Sequence, residues 1–372
     1  MSLWPAAGYT THMDPQVLIR TRLTSQLLTG NGLHEPAAVV AHLGAMQAQD
    51  YPGALWSVGL RVPGSTLCDI ETAVARRQIV RTWPMRGTLH FVAAADVRWM
   101  VELLGPRATA AARSRATQLG LDEAVFQKCR DICQEVLGGD KQLSRKAICQ
   151  EFEKRGIATA SQRGIHILRH LSEEGLLCFG LHEGKQPTFA LLAEWAPQAR
   201  TLPREAALAK LAATYFGGHG PATLKDFIGW TMLTVADAKL GIELAKDALT
   251  TATFDSKTYW FSRKQAVPPK TPDVQLLPGF DEYLLGYKDR TAVLEHEHAQ
   301  KIVPGNNGMF ISTLVIDGLV AGLWRRTPRA RQVTVTIMPF RPLTRLECEA
   351  AEAAAARYGS FINTPVTTAF AD

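Results

Sequence analysis

The chain has 372 residues, of which 46% are hydrophobic and 20% are charged, and its formal net charge is +6. This length favours two or three domains, and the apolar content excludes an intrinsically disordered chain. The excess of basic residues favours an anionic partner, although it does not by itself prove one.

The cysteines and the first residues predict the compartment. The six cysteines form no C-x-x-C pair, which is typical of reduced thiols in a cytoplasmic protein. The start, MSLWPAAGYTTHMD, lacks the basic and apolar regions of a signal peptide, and no apolar run of about 18 residues predicts a membrane span. We therefore expect a cytoplasmic protein that does not contact a membrane.

Residues 14–95 are predicted to form three short helices and a β-hairpin. The helices are DPQVLIRTRLTSQLL, EPAAVVAHLGAMQAQ and TLCDIETAVARRQ, and the first two begin with an acidic residue and a proline. IVRTWPMRGTLHFVA then has β-branched and aromatic residues interrupted by Pro84 and Gly87, which indicates a strand, a turn and a strand. Helices followed by a hairpin are typical of a winged helix.

Residues 96–200 are predicted to repeat this pattern. DEAVFQKCRDICQEVL and LSRKAICQEFEKRG are helices, the second with Ser144 as its N-cap, and a third helix ends at Gly175. LLCFGLHEGKQPTFALL then predicts a hairpin with a Glu-Gly turn.

Residues 201–372 are predicted to form a third winged helix with a β-rich C-terminal part. Three helices, the second capped by Thr223, precede β-rich sequence that includes FDEYLLGYKDR, and LTRLECEAAEAAAARYG is a last helix. AVPPKTPD is a loop. The predicted fold is α+β and mainly helical, with three tandem winged-helix units.

Four blocks of the sequence resemble one known family. LGAMQAQDYPGALWSVGLR, TWPMRGTLHFV, HGPATLKDFIGW and LLPGFDEYLLGYKDR look like successive signatures of the bacterial winged-helix DNA glycosylases of the AlkZ and YcaQ type. The resemblance implies three winged helices in a C shape. It also implies hydrolysis of the N-glycosidic bond of alkylated purines, including some in interstrand crosslinks. Gln47-Ala48-Gln49 resembles the catalytic motif of the family's Gln-x-Gln branch.

Two glutamines suit this chemistry. An N7-alkylated purine is already positively charged, so it leaves without a general acid. A side-chain amide can position a water and turn its dipole toward the cationic sugar, but it cannot take up a proton as a carboxylate does. Gln47 and Gln49 share a face only in extended chain, so we expect the preceding helix to end near Met46. The alternative is that both are polar residues at a frayed helix end.

Further basic residues are predicted to contact DNA. Arg86 and His90 either contact DNA near the first hairpin or are buried and tie that hairpin to the helices. The basic pair Lys288 and Arg290 suits a phosphate contact, whereas the neighbouring Asp281 and Glu282 are expected to orient arginines or cap a turn. LWRRTPRARQVTV predicts a projecting hairpin with a basic tip, at which the arginines favour DNA over a solvated surface. These arginines are Arg325, Arg326, Arg329 and Arg331.

No metal and no cofactor are expected. His166 and His170 have a spacing that can bind metal, but they lack a catalytic glutamate, and HEH, with His296 and His298, is similar. No lysine stands beside the glutamines, so a lyase mechanism through a Schiff base is not expected.

The sequence therefore predicts a monomeric, monofunctional DNA glycosylase. Its partner is double-stranded DNA with alkylated, N7-alkyl purines, in DNA repair or in self-resistance to a toxin. The alternatives are a non-catalytic winged-helix DNA-binding protein or transcriptional regulator, and a damage-binding protein that has lost catalysis.

Overall fold

The fold mixes helices with three β-sheets. The computed structural model describes residues 11–30, 32–265 and 273–371. About 47% of the chain is helical and 21% is strand, so the expected combination of helices and sheets is confirmed. Within the described ranges, no helix is both long and apolar enough to cross a membrane.

Runs of helices and runs of strands follow one another along the described residues. The helices are α1 Pro15–Ser25, α2 Pro36–Leu43, α3 Tyr51–Gly59, α4 Leu67–Ala75, α5 Val97–Gln118, α6 Glu123–Leu137, α7 Arg145–Lys154, α8 Arg163–Glu173, α9 Leu192–Trp195, α10 Arg204–His219, α11 Leu224–Thr231, α12 Val235–Leu244, α13 Glu282–Leu285, α14 Ala299–Ile302 and α15 Arg345–Phe361. The strands are β1 Thr11–His12, β2 Met46–Gln47, β3 Ile79–Met85, β4 Thr88–Ala93, β5 Leu143–Ser144, β6 Leu177–Glu183, β7 Gln186–Leu191, β8 Leu249–Phe254, β9 Lys257–Ser262, β10 Val274–Leu277, β11 Thr313–Ile316, β12 Leu319–Pro328, β13 Val333–Pro339 and β14 Val366–Phe370.

Side-chain caps begin several helices where the sequence predicts them. Asp14 accepts a hydrogen bond from the backbone N–H of Gln16 and begins α1. Ser144 caps α7, and Thr223 caps α11 with a reciprocal capping box to Asp226. Each cap satisfies a backbone donor that the helix leaves free, which fixes where the helix starts.

The helices fall into three groups, α1–α4, α5–α8 and α10–α12, and each group is followed by an antiparallel hairpin. The hairpins β3–β4 and β6–β7 join in one six-stranded sheet of order β2-β4-β3-β6-β7-β5, in which Arg81 of β3 lies opposite Phe179 of β6. The hairpin β8–β9 pairs with β1 in a three-stranded sheet, and the C-terminal strands form a sheet of order β10-β11-β12-β13-β14. The first two hairpins therefore meet edge to edge.

A shared core brings the two ends of the chain together. Trp56 of α3 packs against Tyr358 and Phe361 of α15, with ring centroids 5.1 and 4.9 Å apart. The indole N–H of Trp56 also donates to the carbonyl oxygen of Leu276 at 2.8 Å. The first helices and the C-terminal sheet therefore bury one common apolar cluster, and the QAQ segment lies at its edge because Ala48 belongs to that cluster.

Two local predictions are wrong, and one helix was not predicted. Tyr51 and Pro52 begin this helix, α3, because proline fits the first turn of a helix. Pro84 lies inside β3, and the hairpin turns at Arg86 and Gly87. FDEYLLGYKDR contains the short helix α13 instead of a strand, since Asp281 caps it. Residues 266–272 of the predicted loop AVPPKTPD lie outside the described residues.

Candidate active site

The glutamine segment leaves its helix before the first glutamine. α2 ends at Leu43, and Gly44, with φ of 79°, leads the chain out of the helix toward β2. Gln47 lies opposite His90 in the antiparallel pair of β2 and β4. The helix therefore ends three residues earlier than Met46, and the prediction that it stops before the motif is confirmed.

The two glutamines lie at different depths. Gln47 is only 7% exposed, whereas Gln49 is exposed. The side-chain oxygen of Gln49 accepts a hydrogen bond from the backbone N–H of Leu89 at 3.3 Å. An amide oxygen has two lone pairs, so Gln49 keeps one acceptor position and both N–H donors for a ligand. The side-chain amide of Gln47 forms no hydrogen bond within the described part of the chain.

A buried carboxylate holds the backbone of Gln47. Glu282 is 1% exposed, and its Oε1 accepts the Gln47 N–H at 3.1 Å. Its Oε2 accepts the indole N–H of Trp230 at 2.8 Å and lies 3.2 Å from Nε2 of His219. Three elements of the fold therefore direct nitrogen atoms at one carboxylate, whose two oxygens together have about four acceptor positions.

Glu282 is an anion at neutral pH. Burial raises the pKa of a carboxyl group because it disfavours the charged form. Here the hydrogen bond and charge of His219, together with the charge of Arg86, outweigh burial and lower the pKa of Glu282 to about 2. A full negative charge therefore lies directly behind the first glutamine.

A buried guanidinium group holds the peptide between the glutamines. Arg81 donates from Nε at 3.1 Å and from Nη2 at 2.9 Å to the carbonyl oxygen of Ala48. Its guanidinium carbon lies 5.1 Å from the ring centre of Tyr51 and 4.9 Å from that of Phe179. Burial lowers the pKa of Arg81 to about 10, so it remains a cation at neutral pH. Glu282 and Arg81 thus fix the segment from two sides.

A half-open cavity of about 440 Å³ lies beside Gln49. Arg81, Arg145 and Arg169 line it together with His166, and its apolar wall carries tryptophan and phenylalanine rings. No Asp or Glu is among the described residues that line it. The exposed glutamine therefore borders a strongly cationic space.

Arg86 and His90 form a pair beneath the first hairpin. Nδ1 of His90 lies 2.9 Å from the carbonyl oxygen of Thr88, and Nε2 lies 2.8 Å from Nη2 of Arg86. Because a carbonyl only accepts and a guanidinium only donates, the ring is neutral and carries its proton on Nδ1. Burial and the charge of Arg86 lower the pKa of His90 to about 3. His90 has 0% of its surface exposed, which matches the alternative in which the pair ties the hairpin to the helices.

Lys288 and Arg290 differ in availability. Lys288 is exposed, and its ammonium has no ion-pair partner among the described residues, while its backbone N–H donates to Asp226 at 2.9 Å. Arg290 is half-buried, donates to the carbonyl oxygen of Leu284 at 2.6 Å and lies over the ring of Phe310. Lys288 is therefore free to contact a phosphate, whereas Arg290 already serves the fold.

The predicted basic hairpin is present as β12 and β13. Arg329 and Arg331 are exposed at its turn, which the hydrogen bond from the Arg329 N–H to the Gln332 carbonyl closes at 2.8 Å. Arg325 and Arg326 are adjacent in β12 and face opposite sides of the sheet. The basic tip therefore contains two arginines instead of four.

The β12–β13 hairpin does not project alone. β14 pairs with β13 from Val333 onward, so both strands of the hairpin lie inside the five-stranded sheet of order β10-β11-β12-β13-β14. Nη1 of Arg326 donates to the hydroxyl of Tyr358 at 2.7 Å and ties β12 to α15. The prediction of a projecting hairpin is wrong, because a parallel strand supports one of its sides.

Asp281 has the structural roles that the sequence predicts. It forms a bidentate ion pair with Arg61, with both N–O distances at 2.8 Å, and caps α13 at the backbone N–H of Tyr283. Arg61 is fully buried. This pair therefore supports the site from within the core.

The histidine pairs are engaged in other contacts. His170 stacks on Phe126 at 3.6 Å, and its Nε2 lies 2.9 Å from Glu174, while His166 lines the cavity beside Gln49. Among the described residues, one group has ligand atoms close enough for a metal ion, and it is at the surface: Glu295, Glu297 and His298. Such acidic surface groups are common without an ion.

Local sequence patterns contain little signal for the two residues that hold the motif. Arg81 is the one charged residue of the strand IVRTWPM, which is buried throughout, and a charged residue in a buried strand indicates a specific partner. Glu282 belongs to a block that resembles the family, but the motif it holds is 235 residues away. Neither partner can be identified from local spacing.

A sequence model of the AlkZ-like DNA glycosylase family matches residues 40–361. The chain belongs to this family. It is therefore an enzyme, a DNA glycosylase, and the family assignment drawn from the four sequence blocks is confirmed. The matched range contains both glutamines, Arg81 and Glu282.

Similarity to AlkZ-like relatives extends over nearly the whole chain. An interstrand DNA cross-link repair glycosylase from Streptomyces sahachiroi is 28% identical over 355 residues, which cover 90% of this chain and 93% of the relative. The solved structure of the Streptomyces sahachiroi DNA glycosylase AlkZ matches with a TM-score of 0.82 at 25% identity. That match covers 96% of this chain and 100% of the other. This chain therefore has the AlkZ fold.

Proposed function

We propose that this DNA glycosylase removes cationic, N7-alkylated purines from double-stranded DNA and that Gln47 and Gln49 are its catalytic residues. The observation that carries the proposal is the extended Gln-Ala-Gln segment, held by Glu282 behind Gln47 and by Arg81 at the central carbonyl. An amide positions a water and stabilises a cation, but it cannot protonate a leaving base. The motif therefore suits a base that already carries a positive charge.

The proposed reaction needs no proton donor. The C1′–N9 bond breaks and its electron pair passes to the purine, which leaves as a neutral base. The sugar becomes an oxocarbenium ion, a water adds to C1′, and its proton passes to solvent. The free lone pair of the Gln49 oxygen accepts a hydrogen bond from that water, and the Gln47 amide dipole faces the sugar cation.

Glu282 supplies the charge that the neutral glutamines lack. Its carboxylate is buried and hydrogen-bonded to the Gln47 backbone, so its field acts through a medium of low dielectric constant. Such a field favours both the cationic base and the developing sugar cation. Glu282 thus acts through Gln47 as a positioning residue.

Water is the proposed nucleophile. An amine that forms a Schiff base with C1′ would convert the enzyme into a lyase. Within the described residues, no lysine lines the cavity beside Gln49. We therefore propose a monofunctional glycosylase, and no metal or cofactor enters the mechanism.

We extend the proposal to DNA interstrand crosslinks. The Streptomyces sahachiroi relative bears the name of a cross-link repair glycosylase. A crosslinked base stays attached to the second strand, which must be held near the site. Lys288 and the exposed arginines Arg325, Arg329 and Arg331 are the proposed contacts to phosphates of the duplex.

We also propose that the three groups of helices are tandem winged helices in a C-shaped monomer that holds one duplex. Residues 14–95, 96–200 and 201–372 would form the three units, the third with the β-rich C-terminal part. The support is that each group of helices is followed by an antiparallel hairpin, β3–β4, β6–β7 or β8–β9.

A base-release assay separates this function from its alternatives. A duplex with a single N7-methylguanine is incubated with the protein, the free base is measured by chromatography, and abasic sites are cut with an abasic-site endonuclease. We expect free N7-methylguanine and cleavage at the lesion, neither of which the double variant Gln47→Ala/Gln49→Ala produces. Tight binding without free base would contradict the proposal and indicate a regulator or a damage-binding protein.

A further inference from the structure

The cavity beside Gln49 is built from four separate elements of the fold. Arg81 comes from β3, Arg169 from α8, and Arg145 from the first turn of α7. Gln186 of the second hairpin also lines it. The cavity therefore exists only where the first hairpin meets the second group of helices, and Gln49 forms part of its wall.

Two of the three arginines of this cavity, Arg81 and Arg145, have no carboxylate partner within the described residues. Arg145 is exposed and has no ion-pair partner within the described ranges, and Arg81 has only a carbonyl oxygen and rings as partners. Arg169 pairs with Glu173 through Nε at 2.7 Å, which leaves its Nη atoms free. These Nη atoms lie where a side chain at Gly87 would be, so the glycine allows the guanidinium to approach the hairpin turn.

The two sides of the glutamine segment differ in charge. The Gln47 side carries the buried anion Glu282, with Arg86 and His219 as the groups that stabilise its charge. His90 there is neutral. The Gln49 side carries guanidinium groups without a carboxylate in its wall. A cationic alkylpurine would be repelled on the Gln49 side, whereas a phosphate would be attracted there.

We propose that the cavity beside Gln49 binds one phosphodiester group of the damaged strand next to the lesion, while the alkylated base lies on the Gln47 side. This inference rests on the proposed function and adds the orientation of the nucleotide. Arginine forms bidentate hydrogen bonds with phosphate oxygens, and a pair of free Nη atoms suits that contact. The bound phosphate then places the sugar between the two glutamines.

A second cavity continues the same path. It has a volume of about 880 Å³ and shares Arg145, Ile165 and Gln186 with the first. Its lining also includes the exposed Lys146 and, on the second hairpin, the exposed carboxylate of Glu183. The shared residues make the two cavities continuous, and the proposed path of the next phosphate of the same strand follows the α7 side, away from Glu183.

Charge-neutral linkages test the proposal directly. In a series of duplexes, each phosphate around a stable abasic-site analogue is replaced in turn by an uncharged methylphosphonate, and the dissociation constant is measured. For the natural protein, we expect a methylphosphonate at one position to raise the dissociation constant by about tenfold, because it removes a hydrogen bond to a charged group. In Arg145→Ala that loss should shrink to about twofold. Lys128→Ala, which removes an exposed lysine outside both cavities, should retain the full loss.

The outcomes are distinct for the inference and for the proposed function. The same loss in Arg145→Ala as in the natural protein, at every position, would overturn the phosphate site. The series uses an abasic analogue and needs no catalysis. Suppose that the protein fails to release N7-methylguanine, but the loss of affinity at one methylphosphonate position shrinks in Arg145→Ala as predicted. That result would contradict the proposed function and leave the phosphate site intact.

Discussion

Oε1 of Glu282 accepts the backbone N–H of Gln47 at 3.1 Å, across 235 residues of sequence. The same carboxylate accepts the indole N–H of Trp230 and lies 3.2 Å from the ring nitrogen of His219. The proposed catalytic segment therefore takes its final position only when the first and third groups of helices are assembled. This contact also places a buried charge at the proposed reaction centre.

Replacing Glu282 by glutamine should slow base release without weakening DNA binding. A glutamine side chain presents one oxygen and one NH2 group, so an N–H donor of the site would face another donor. We expect Glu282→Gln to lower the single-turnover rate by about a hundredfold, as for the loss of one preorganised electrostatic contact. The dissociation constant for undamaged duplex should stay within about threefold, since Glu282 is buried.

The matched control is Glu102→Gln, which removes an exposed carboxylate on α5. It should leave the rate unchanged. If Glu282→Gln folds, binds DNA and releases base at the normal rate, the role of Glu282 is contradicted.

Each glutamine should matter for the rate more than for affinity. Gln47→Ala and Gln49→Ala should each slow release of N7-methylguanine by about a hundredfold or more, because each removes an amide from the sugar cation or the water. Affinity for the duplex should stay within a few fold. Single-turnover rates at saturating enzyme measure this, and an unchanged rate would remove that residue from the mechanism.

The buried, neutral His90 should make folding stability depend on pH. Its pKa is about 3 in the folded chain, against 6.5 for an unperturbed histidine, so between these values only the unfolded chain binds the proton. Stability therefore falls as pH decreases through this window and is independent of this group above it. Between pH 6 and 4, the free energy of unfolding of the natural protein should lose about 1.4 kcal/mol per pH unit more than that of His90→Gln. Denaturant unfolding at several pH values tests this, and equal slopes would contradict it.

The turn of the β12–β13 hairpin should matter most for bulky or crosslinked adducts. Arg329 and Arg331 are exposed there, whereas the guanidinium group of Arg326 donates a hydrogen bond to the hydroxyl of Tyr358. We expect Arg329→Ala/Arg331→Ala to lower activity on a crosslink by about tenfold or more and on a methyl adduct by less than about threefold, because only the crosslink keeps a second strand attached. Equal losses of activity on both substrates would contradict this prediction and indicate that the hairpin only contacts phosphates in general.

Local signals in the sequence predicted much of the fold. Asp14, Ser144 and Thr223 begin helices because a short polar side chain satisfies the free backbone donors at a helix start. The hairpins follow from runs of β-branched and aromatic residues around turn residues. Such features depend on a few neighbouring residues, so a sequence reveals them without an alignment.

The errors arise where one local signal permits two structures. Pro84 is typical of a turn, but proline also occurs in a strand at a bulge, and β3 passes through it with a register shift between Thr82 and Met85. The short helix α13 lies in sequence that is apolar enough for a strand, and its cap Asp281 owes its place to Arg61. Tertiary contacts decide which of the two structures forms, and the hydrophobic periodicity of the segment does not.

The glutamine motif of the candidate site could be predicted from the sequence, but the residues that hold it in place could not. Gln47 and Gln49 stand in a recognisable block, and their extended backbone followed from the need for the helix to end first. The partners Glu282 and Arg81 come from distant parts of the chain, and His90 proved buried. Only the folded chain brings these charges together, so the sequence could not assign them.

The most direct test compares a charged lesion with a neutral one in the same duplex. Single-turnover release is measured for N7-methylguanine and for hypoxanthine at one position, at saturating enzyme and neutral pH. The account predicts release of N7-methylguanine at a rate at least about a thousandfold higher, because the site offers an anion and two amides but no acid for a neutral base. Comparable rates on the two lesions would contradict it and require an acid that protonates the leaving base.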